Sequence, residues 1–327
     1  METINFLERE ISQGDITAFA QTKVNLSKER ADKYREKVNI LRDHLERYIS
    51  EHEDVGLVKM LLSGSLKKGT ALRTINDIDV ALYVKGNSAP RELGPLLQWL
   101  VERLRTTYHQ IPPANIRIDG PCIVITYSEI GIDVDVAPVY YEGDPQWRGY
   151  LWDRQTGERI LTSIPQHLEF IKRRKDKHSL YFAQTVRLLK WWARQRERDS
   201  QPLILRSFLI ELLASKISDI GRNFSDYHEA LEHFFQYVQK TGLKDRIAFA
   251  DFYSLDKLPK NRIGIVEIFD PVNPENNVAS HVTEQTRALF VQRADEALDA
   301  LSYAKTCQTK GEAIECWQDI MGTTFDA

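Results

Sequence analysis

Ser63-Gly64-Ser65-Leu66-Lys67-Lys68-Gly69-Thr70 runs almost directly into Asn76-Asp77-Ile78-Asp79-Val80. That order sets a phosphate cradle ahead of a pair of carboxylates. Gly64 has no Cβ and lets the chain turn sharply and approach a ligand, while Ser65 adds a hydroxyl donor beside exposed peptide N–H groups. The apolar run Leu57 to Leu62 predicts a strand that stops at this corner, and residues 66–72 predict a short helix whose positive end favours an anion. From Asp77 to Val84 the alternation predicts a strand with Ile78 and Val80 toward the core and Asp77 and Asp79 together on the opposite face. Two carboxylates ~4 Å apart repel by about 1 kcal/mol in water and by roughly 4 kcal/mol near a protein surface. A divalent cation relieves that cost, and magnesium suits it, since it takes one or two carboxylates together with substrate phosphates.

A further acid is offered by Gly131-Ile132-Asp133-Val134-Asp135-Val136-Ala137-Pro138, where the same alternation puts Asp133 and Asp135 on one face. Either could join the first pair from a neighbouring strand. Three acids around two ions about 3.5–4 Å apart can stabilise both the attacking and the leaving oxygen of an in-line displacement on phosphorus. The chemistry implied is phosphoryl or nucleotidyl transfer. Taken singly, a Gly-Ser before a helix is usually a turn and an Asp-x-Asp a solvated edge; the order, the spacing and the second acid pair together point to catalysis.

These residues resemble the signature of the DNA polymerase β-like nucleotidyltransferases: Gly-Ser, a short helix, Asp-x-Asp, and a third Asp on a later strand. Gly64-Ser65, Gly69-Thr70, Asp77-Ile78-Asp79 and Asp135-Val136-Ala137-Pro138 are similar to the branch that holds the 2′-5′ oligoadenylate synthases and the bacterial cGAS/DncV-like nucleotidyltransferases, or CD-NTases. In that branch the third ligand stands three residues before Pro, so the resemblance implies Asp135 rather than Asp133. It also implies that Lys190 and Ser207, on helices of the second half, hold the donor triphosphate. Asp270-Pro271-Val272-Asn273-Pro274-Glu275-Asn276-Asn277-Val278 resembles a loop of the same branch and reads equally as a Pro/Asn turn cluster, without a catalytic role.

The resemblance runs from about Ser27 to about Gly322 and is similar to the clades encoded beside HORMA-domain proteins in CBASS antiphage systems. It implies an α+β fold: a bilobal nucleotidyltransferase core with a mixed sheet and flanking helices, then a C-terminal helical domain, braced by a long N-terminal helix. The expected domains are 1–160 and 161–327. The implied reaction converts nucleoside triphosphates, ATP foremost, into a cyclic di- or trinucleotide that activates an antiphage effector, releasing pyrophosphate with two Mg2+ ions, for which Mn2+ substitutes. A HORMA-domain activator and duplex DNA are the implied partners. Other readings are a transferase that modifies RNA, a protein or a small molecule, and a decayed nucleotide-binding module.

Composition agrees with a globular enzyme. At 327 residues the chain is long enough for two domains, and 42% hydrophobic content supplies a core. No long apolar run or signal pattern is present, which predicts a cytoplasmic protein outside the membrane. Cys122, Cys307 and Cys316 have no disulfide or zinc spacing, and His228 and His233, five apart, read as surface residues. A net charge of −3 argues against a surface built wholly for nucleic acid. Lys172-Arg173-Arg174-Lys175-Asp176-Lys177-His178 is the local exception; it reads as a solvated linker, or alternatively as a contact for phosphates, a partner or DNA.

To position the acids, Ser27 caps a helix to about Ser50 with Tyr34, Val38, Leu41, Leu45 and Tyr48 as its apolar stripe. Strands near 57–62, 77–84, 115–118, 122–128 and 132–140 and a helix near 90–108 complete the core. Helices near 165–175, 179–198, 203–219, 226–240 and 283–305 follow. Pro145, Gly149 and Gly157 read as the crossover between the lobes, with the active cleft between the Asp-bearing sheet and the helices of Lys190 and Ser207.

Overall fold

A computed structural model describes residues 10–52, 56–153 and 156–327. The chain forms two compact units: Leu26–Phe170, and a second made of residues 10–25 with Ile171–Ala327. The sequence suggests a single cut near 160; by backbone contacts the boundary falls inside a helix, and residues 10–25 group with the C-terminal unit.

In chain order, α1 (Gln13–Phe19) opens the second unit and continues as a π-helical turn over Ala20–Val24. The first unit then begins with α2 (Lys28–Glu51), capped by the Ser27 side chain, which accepts from the Arg30 amide at 3.3 Å. Ala31, Tyr34, Val38, Leu41 and Leu45 form its buried stripe, on the 3.6-residue period that the sequence shows. The helix expected to brace both lobes belongs wholly to this unit, and its stripe joins the apolar face of the sheet.

That sheet contains β1 (Leu57–Leu62), β2 (Asp77–Lys85), β3 (Ile116–Asp119), β4 (Cys122–Tyr127), β5 (Ile132–Tyr141), β6 (Gly149–Trp152) and β7 (Arg159–Thr162), with α3 (Gly64–Lys68) after β1 and α4 (Leu93–Thr107) after β2. The order is β1-β2-β5-β4-β3, with β6 against β5 and β7 against β6. β2 and β5 are parallel while the other pairs are antiparallel, so the sheet is mixed. Ile78, Val80, Leu82 and Val84 of β2 meet Ile132, Val134 and Val136 of β5, together with Leu96, Leu97, Leu100 and Leu104 of α4, in one core.

Two expectations change here. The short helix begins at Gly64 itself and stops at Lys68, because Gly69 takes the left-handed conformation at φ 75° and ends it early. The segment expected to be a crossover is instead the β6–β7 hairpin. Gly149 allows it: a Cβ there would stand 2.6 Å from Val139 Cγ1 and 2.7 Å from the Tyr140 carbonyl oxygen.

The second unit is helical: the end of α5 (Ile164–His178), then α6 (Leu180–Arg196), α7 (Ser207–Asp219), α8 (Tyr227–Thr241), α9 (Glu284–Ala304) and α10 (Lys310–Met321), with a two-stranded parallel pair β8 (Arg246–Ile247) and β9 (Glu267–Ile268). α1 and α10 are not anticipated from the sequence. α10 carries a capping box between Thr309 and Glu312, a signal the sequence does contain. Trp192 packs against Phe235 and Phe290 with ring centroids 4.9 and 6.0 Å apart. The Asp270–Val278 loop is held by its own side chains: Asp270 accepts from the Val272 amide, and Asn277 Oδ1 from the amides of Ile268 and Ala279. This is the turn-cluster role.

Leu45→Ala should cost about 2–5 kcal/mol of stability, since it opens a cavity in the core under the sheet. Ile40→Ala, on the exposed side of the same helix, should cost under about 0.5 kcal/mol. Urea denaturation of the two variants measures the difference.

Candidate active site

The register of β2 and β5 pairs Asp77 with Asp133 and Asp79 with Asp135. Because side chains alternate, all four acids share the face opposite the core. Asp77 and Asp79 are exposed, Asp133 and Asp135 partly buried.

The Gly-Ser corner meets the same face. The Ser63 amide donates to the Asp79 carbonyl at 2.9 Å, tying the end of β1 to β2. Gly64 has φ 58°, and a Cβ there would lie 1.8 Å from Asp79 Oδ2. The Asp79 carboxylate therefore occupies the space that any other residue at 64 would fill. Ser65 is partly exposed in the first turn of α3, and its carbonyl accepts from the Thr70 amide at 2.9 Å.

Electrostatics separates the acids. The Asp135 carboxyl is pushed up to about 6, chiefly by burial and then by the charges of Asp77, Asp79, Asp133 and Asp119. Asp133 is paired with Arg117, whose Nη2 donates to Oδ2 at 3.1 Å and whose Nη1 donates to Thr126 Oγ1 at 2.6 Å. Arg117 and Asp119 are site neighbours that the sequence reading omits; their alternation on β3 was the available signal. As the side chains stand, no three Asp, Glu, His or Cys groups among the described residues converge on a point that could hold an ion. The donor set nonetheless fits a hard divalent ion: oxygens only, adjacent strands, mutual repulsion, and a glycine cleared for close approach.

Lys190 and Ser207 lie in the helical unit. Lys190 is buried in α6 and donates to Glu211 Oε1 of α7 at 2.6 Å, so its charge is met within the core of that unit. Ser207 is the exposed first residue of α7.

The basic segment 172–178 is not a linker but the last part of α5, in which Lys172, Arg173 and Lys177 are exposed and Arg174 is buried. Arg174 is buried against Asp219 at 2.6 Å and Asp251 at 2.8 Å. Lys177 donates to the Ser218 carbonyl at 2.6 Å, and Lys172 pairs with Asp176 at 3.4 Å. His228 and His233 are also only partly exposed; both lie on α8, four residues from Glu232 and Glu229 respectively. Among the described residues no helix is long and apolar enough to cross a membrane.

The raised Asp135 pKa fixes the sign of a pH effect. The folded protein binds this proton more tightly than the unfolded chain, so metal-free stability should fall as pH rises from 3.8 to about 6. After solvent screening of a half-buried group the change should be roughly 1 kcal/mol. Asp135→Asn should flatten that slope and raise the metal-free melting temperature at pH 8. Lys190→Ala should cost about 3–5 kcal/mol by leaving Glu211 buried and unpaired, and Lys190→Met with Glu211→Leu should recover most of it. Chemical denaturation reads both.

The sequence pattern of the Second Messenger Oligonucleotide or Dinucleotide Synthetase domain matches residues 12–174. A cyclic AMP-AMP-AMP synthase of Escherichia coli strain MS 115-1 is 43% identical over 314 residues, 95% of this chain and 96% of that protein. Solved structures of the E. coli MS115-1 protein CdnC, one with ATP and one in complex with a HORMA protein, superpose with a TM-score of 0.93 at 42% identity, covering 97% of this chain and 99% of theirs. At 14% identity the Vibrio cholerae cyclic AMP-GMP synthase DncV, solved with the linear intermediate pppA(3′,5′)pG, shares the fold with a TM-score of 0.67 over 97% of this chain and 98% of that one. The chain thus belongs to the Second Messenger Oligonucleotide or Dinucleotide Synthetase family, the CD-NTases of CBASS, nucleotidyltransferases that make cyclic oligonucleotides from nucleoside triphosphates.

Proposed function

We propose that this enzyme joins ATP into a cyclic triadenylate through linear intermediates that keep their 5′-triphosphate, under the control of a HORMA-domain protein. The observation that carries the catalytic part is the register that sets Asp79 beside Asp135 with Gly64 against the Asp79 carboxylate. The adenylate product and the HORMA partner rest on the 43% identical synthase and the CdnC complexes.

In this reading Asp77, Asp79 and Asp135 hold two magnesium ions. The chemistry those ions supply when bound is charge neutralisation at the acceptor ribose hydroxyl and at the departing pyrophosphate. The protein's own part is positioning, which dominates phosphoryl transfer. Gly64 lets the backbone approach the donor phosphates, and the Ser65 hydroxyl donates to them. Arg117 holds Asp133 away from the donor set, which leaves Asp135 as the third acid. Lys190 and Ser207 serve the far end of the triphosphate. For Lys190 this means that a phosphate oxygen shares or replaces the Glu211 carboxylate as its partner. Within the basic segment 172–178 Arg174 is committed to Asp219 and Asp251, while Lys172, Arg173 and Lys177 are exposed.

Incubation with the four ribonucleoside triphosphates and magnesium, with and without the cognate HORMA protein or duplex DNA, should release pyrophosphate and yield a cyclic triadenylate by mass spectrometry. Asp77→Asn with Asp79→Asn should lower the rate by at least about 10³-fold. Unchanged product from the double variant removes these acids from catalysis. A cyclic product of other bases removes the triadenylate assignment.

A further inference from the structure

The face that carries the acids changes chemistry toward the other end of the same strands. Side chains at 77, 79, 81 and 83 of β2 share it with those at 133, 135, 137, 139 and 141 of β5, and Lys59 of β1, in register with Tyr83, joins them. Past the small Ala81 and Ala137, Tyr83 and Val139 pack with Tyr141, Trp147 and Ile164. Trp147 lies flat on Tyr141, ring centroids 5.2 Å apart and planes 10° apart, and the Lys59 ammonium stands 5.2 Å from the Trp147 ring centre.

This end is fixed in place. Trp147 has φ 58°, a conformation that a bulky residue keeps only when its surroundings over-determine it. Its carbonyl accepts from the Tyr83 hydroxyl at 3.0 Å. The next residue, Arg148, donates through Nη2 to Gln146 Oε1 at 2.6 Å, an oxygen that also accepts from Gln166 Nε2 at 3.0 Å. Arg148 Nε is buried with no partner, and so is Gln166 Oε1.

Lys59 and Arg148 are both partly buried. Among the described residues neither side-chain cation is paired with a carboxylate: Lys59 meets the Trp147 ring and the Arg148 guanidinium the Gln146 amide, while the Arg148 backbone amide donates to Asp144 Oδ1 at 3.3 Å. Partly desolvated cations without counter-charge are costly, and the cost is removed by an anion that brings several acceptor oxygens. A phosphate matches the guanidinium fork in geometry as well as in charge. The four residues from Asp79 to Tyr83 span about 13 Å at roughly 3.3 Å per residue. A phosphate held at the acids does not reach that far, so the anion here is a different group from the one being transferred.

We infer that Lys59, over the Trp147 ring, and Arg148, the residue that follows Trp147, form a second phosphate site that needs no metal and holds the 5′-triphosphate of the acceptor nucleotide or linear intermediate. This rests on the reading of the chain as a synthase that elongates 5′-triphosphorylated strands. Acids at one end of the face repel the trailing phosphates and cations at the other attract them, so the acceptor is oriented with its ribose hydroxyl toward Asp77, Asp79 and Asp135.

The test uses the full chain. Calorimetric titration in EDTA with tripolyphosphate should show binding that Lys59→Gln and Arg148→Gln each weaken about ten-fold, that Arg148→Lys largely retains, and that Asp77→Asn leaves no weaker. With synthetic linear pppApA as the added acceptor, KM should rise about ten-fold in the Gln variants while kcat at saturation holds, and more linear product should escape before closure. Thermal melts confirm that the variants fold, and Lys59→Gln decides alone if Arg148→Gln does not. Gln variants that bind tripolyphosphate and use pppApA like the parent overturn the site, as does binding that is lost without magnesium. A parent protein that binds tripolyphosphate through these two residues yet makes no oligonucleotide from ATP keeps the anion site and overturns the synthase reading instead.

Discussion

The site depends on the parallel pairing of β2 with β5. Strand side chains alternate, so the register that packs Ile78 and Val80 beside Val134 and Val136 sends Asp77, Asp79, Asp133 and Asp135 to the other face. A slip of one residue would put carboxylates in the core and valines at the site. Hydrophobic burial on one side of the sheet therefore enforces a charge cluster on the other. Core packing carries the cost of holding these carboxyls there, visible in the pKa of Asp135, which is raised first by burial and then by the neighbouring acids.

Everything near the acids accommodates that concentration of charge. Gly64 leaves room for the Asp79 carboxylate, and Arg117 draws Asp133 into a pair. Toward the other end of the same face, Lys59 stands over the ring of Trp147, and Arg148 follows Trp147 in the chain, so the charge near this sheet surface changes sign along the strands. Such a gradient orients a polyanion that has a reactive hydroxyl at one end. In the helical unit the cations are spent differently. Arg174 with Asp219 and Asp251, and Lys190 with Glu211, tie helices to their neighbours in places where an unpaired charge would be expensive.

Much of this was legible in the residues. Period-two alternation with interspersed acids identified β2 and β5, because nothing but a strand puts Ile78 and Val80 on one side and Asp77 and Asp79 on the other. The stripe of α2 was equally plain. Less legible were short elements set by local geometry: α3 ends at Lys68 because Gly69 turns left-handed, and β6 pairs with β5 because Gly149 permits close backbone approach. The charge run at 172–178 gave no sign that Arg174 is buried, because a one-dimensional pattern carries no information about Asp219 and Asp251, which pair with it from distant positions.

By itself the sequence determined the chemistry class: oxygen ligands for a divalent ion, a glycine-serine phosphate corner, and no thiol or imidazole arrangement competing with them. Those are properties of residue type and short spacing, which propagate locally through strand and turn geometry. Which acids face one another, that Asp133 is spent on Arg117, that Lys190 meets Glu211, and that Lys59 lies over Trp147 were decided only by tertiary structure. Each joins residues far apart in the chain, and such pairings follow from the packing of whole elements rather than from any local preference.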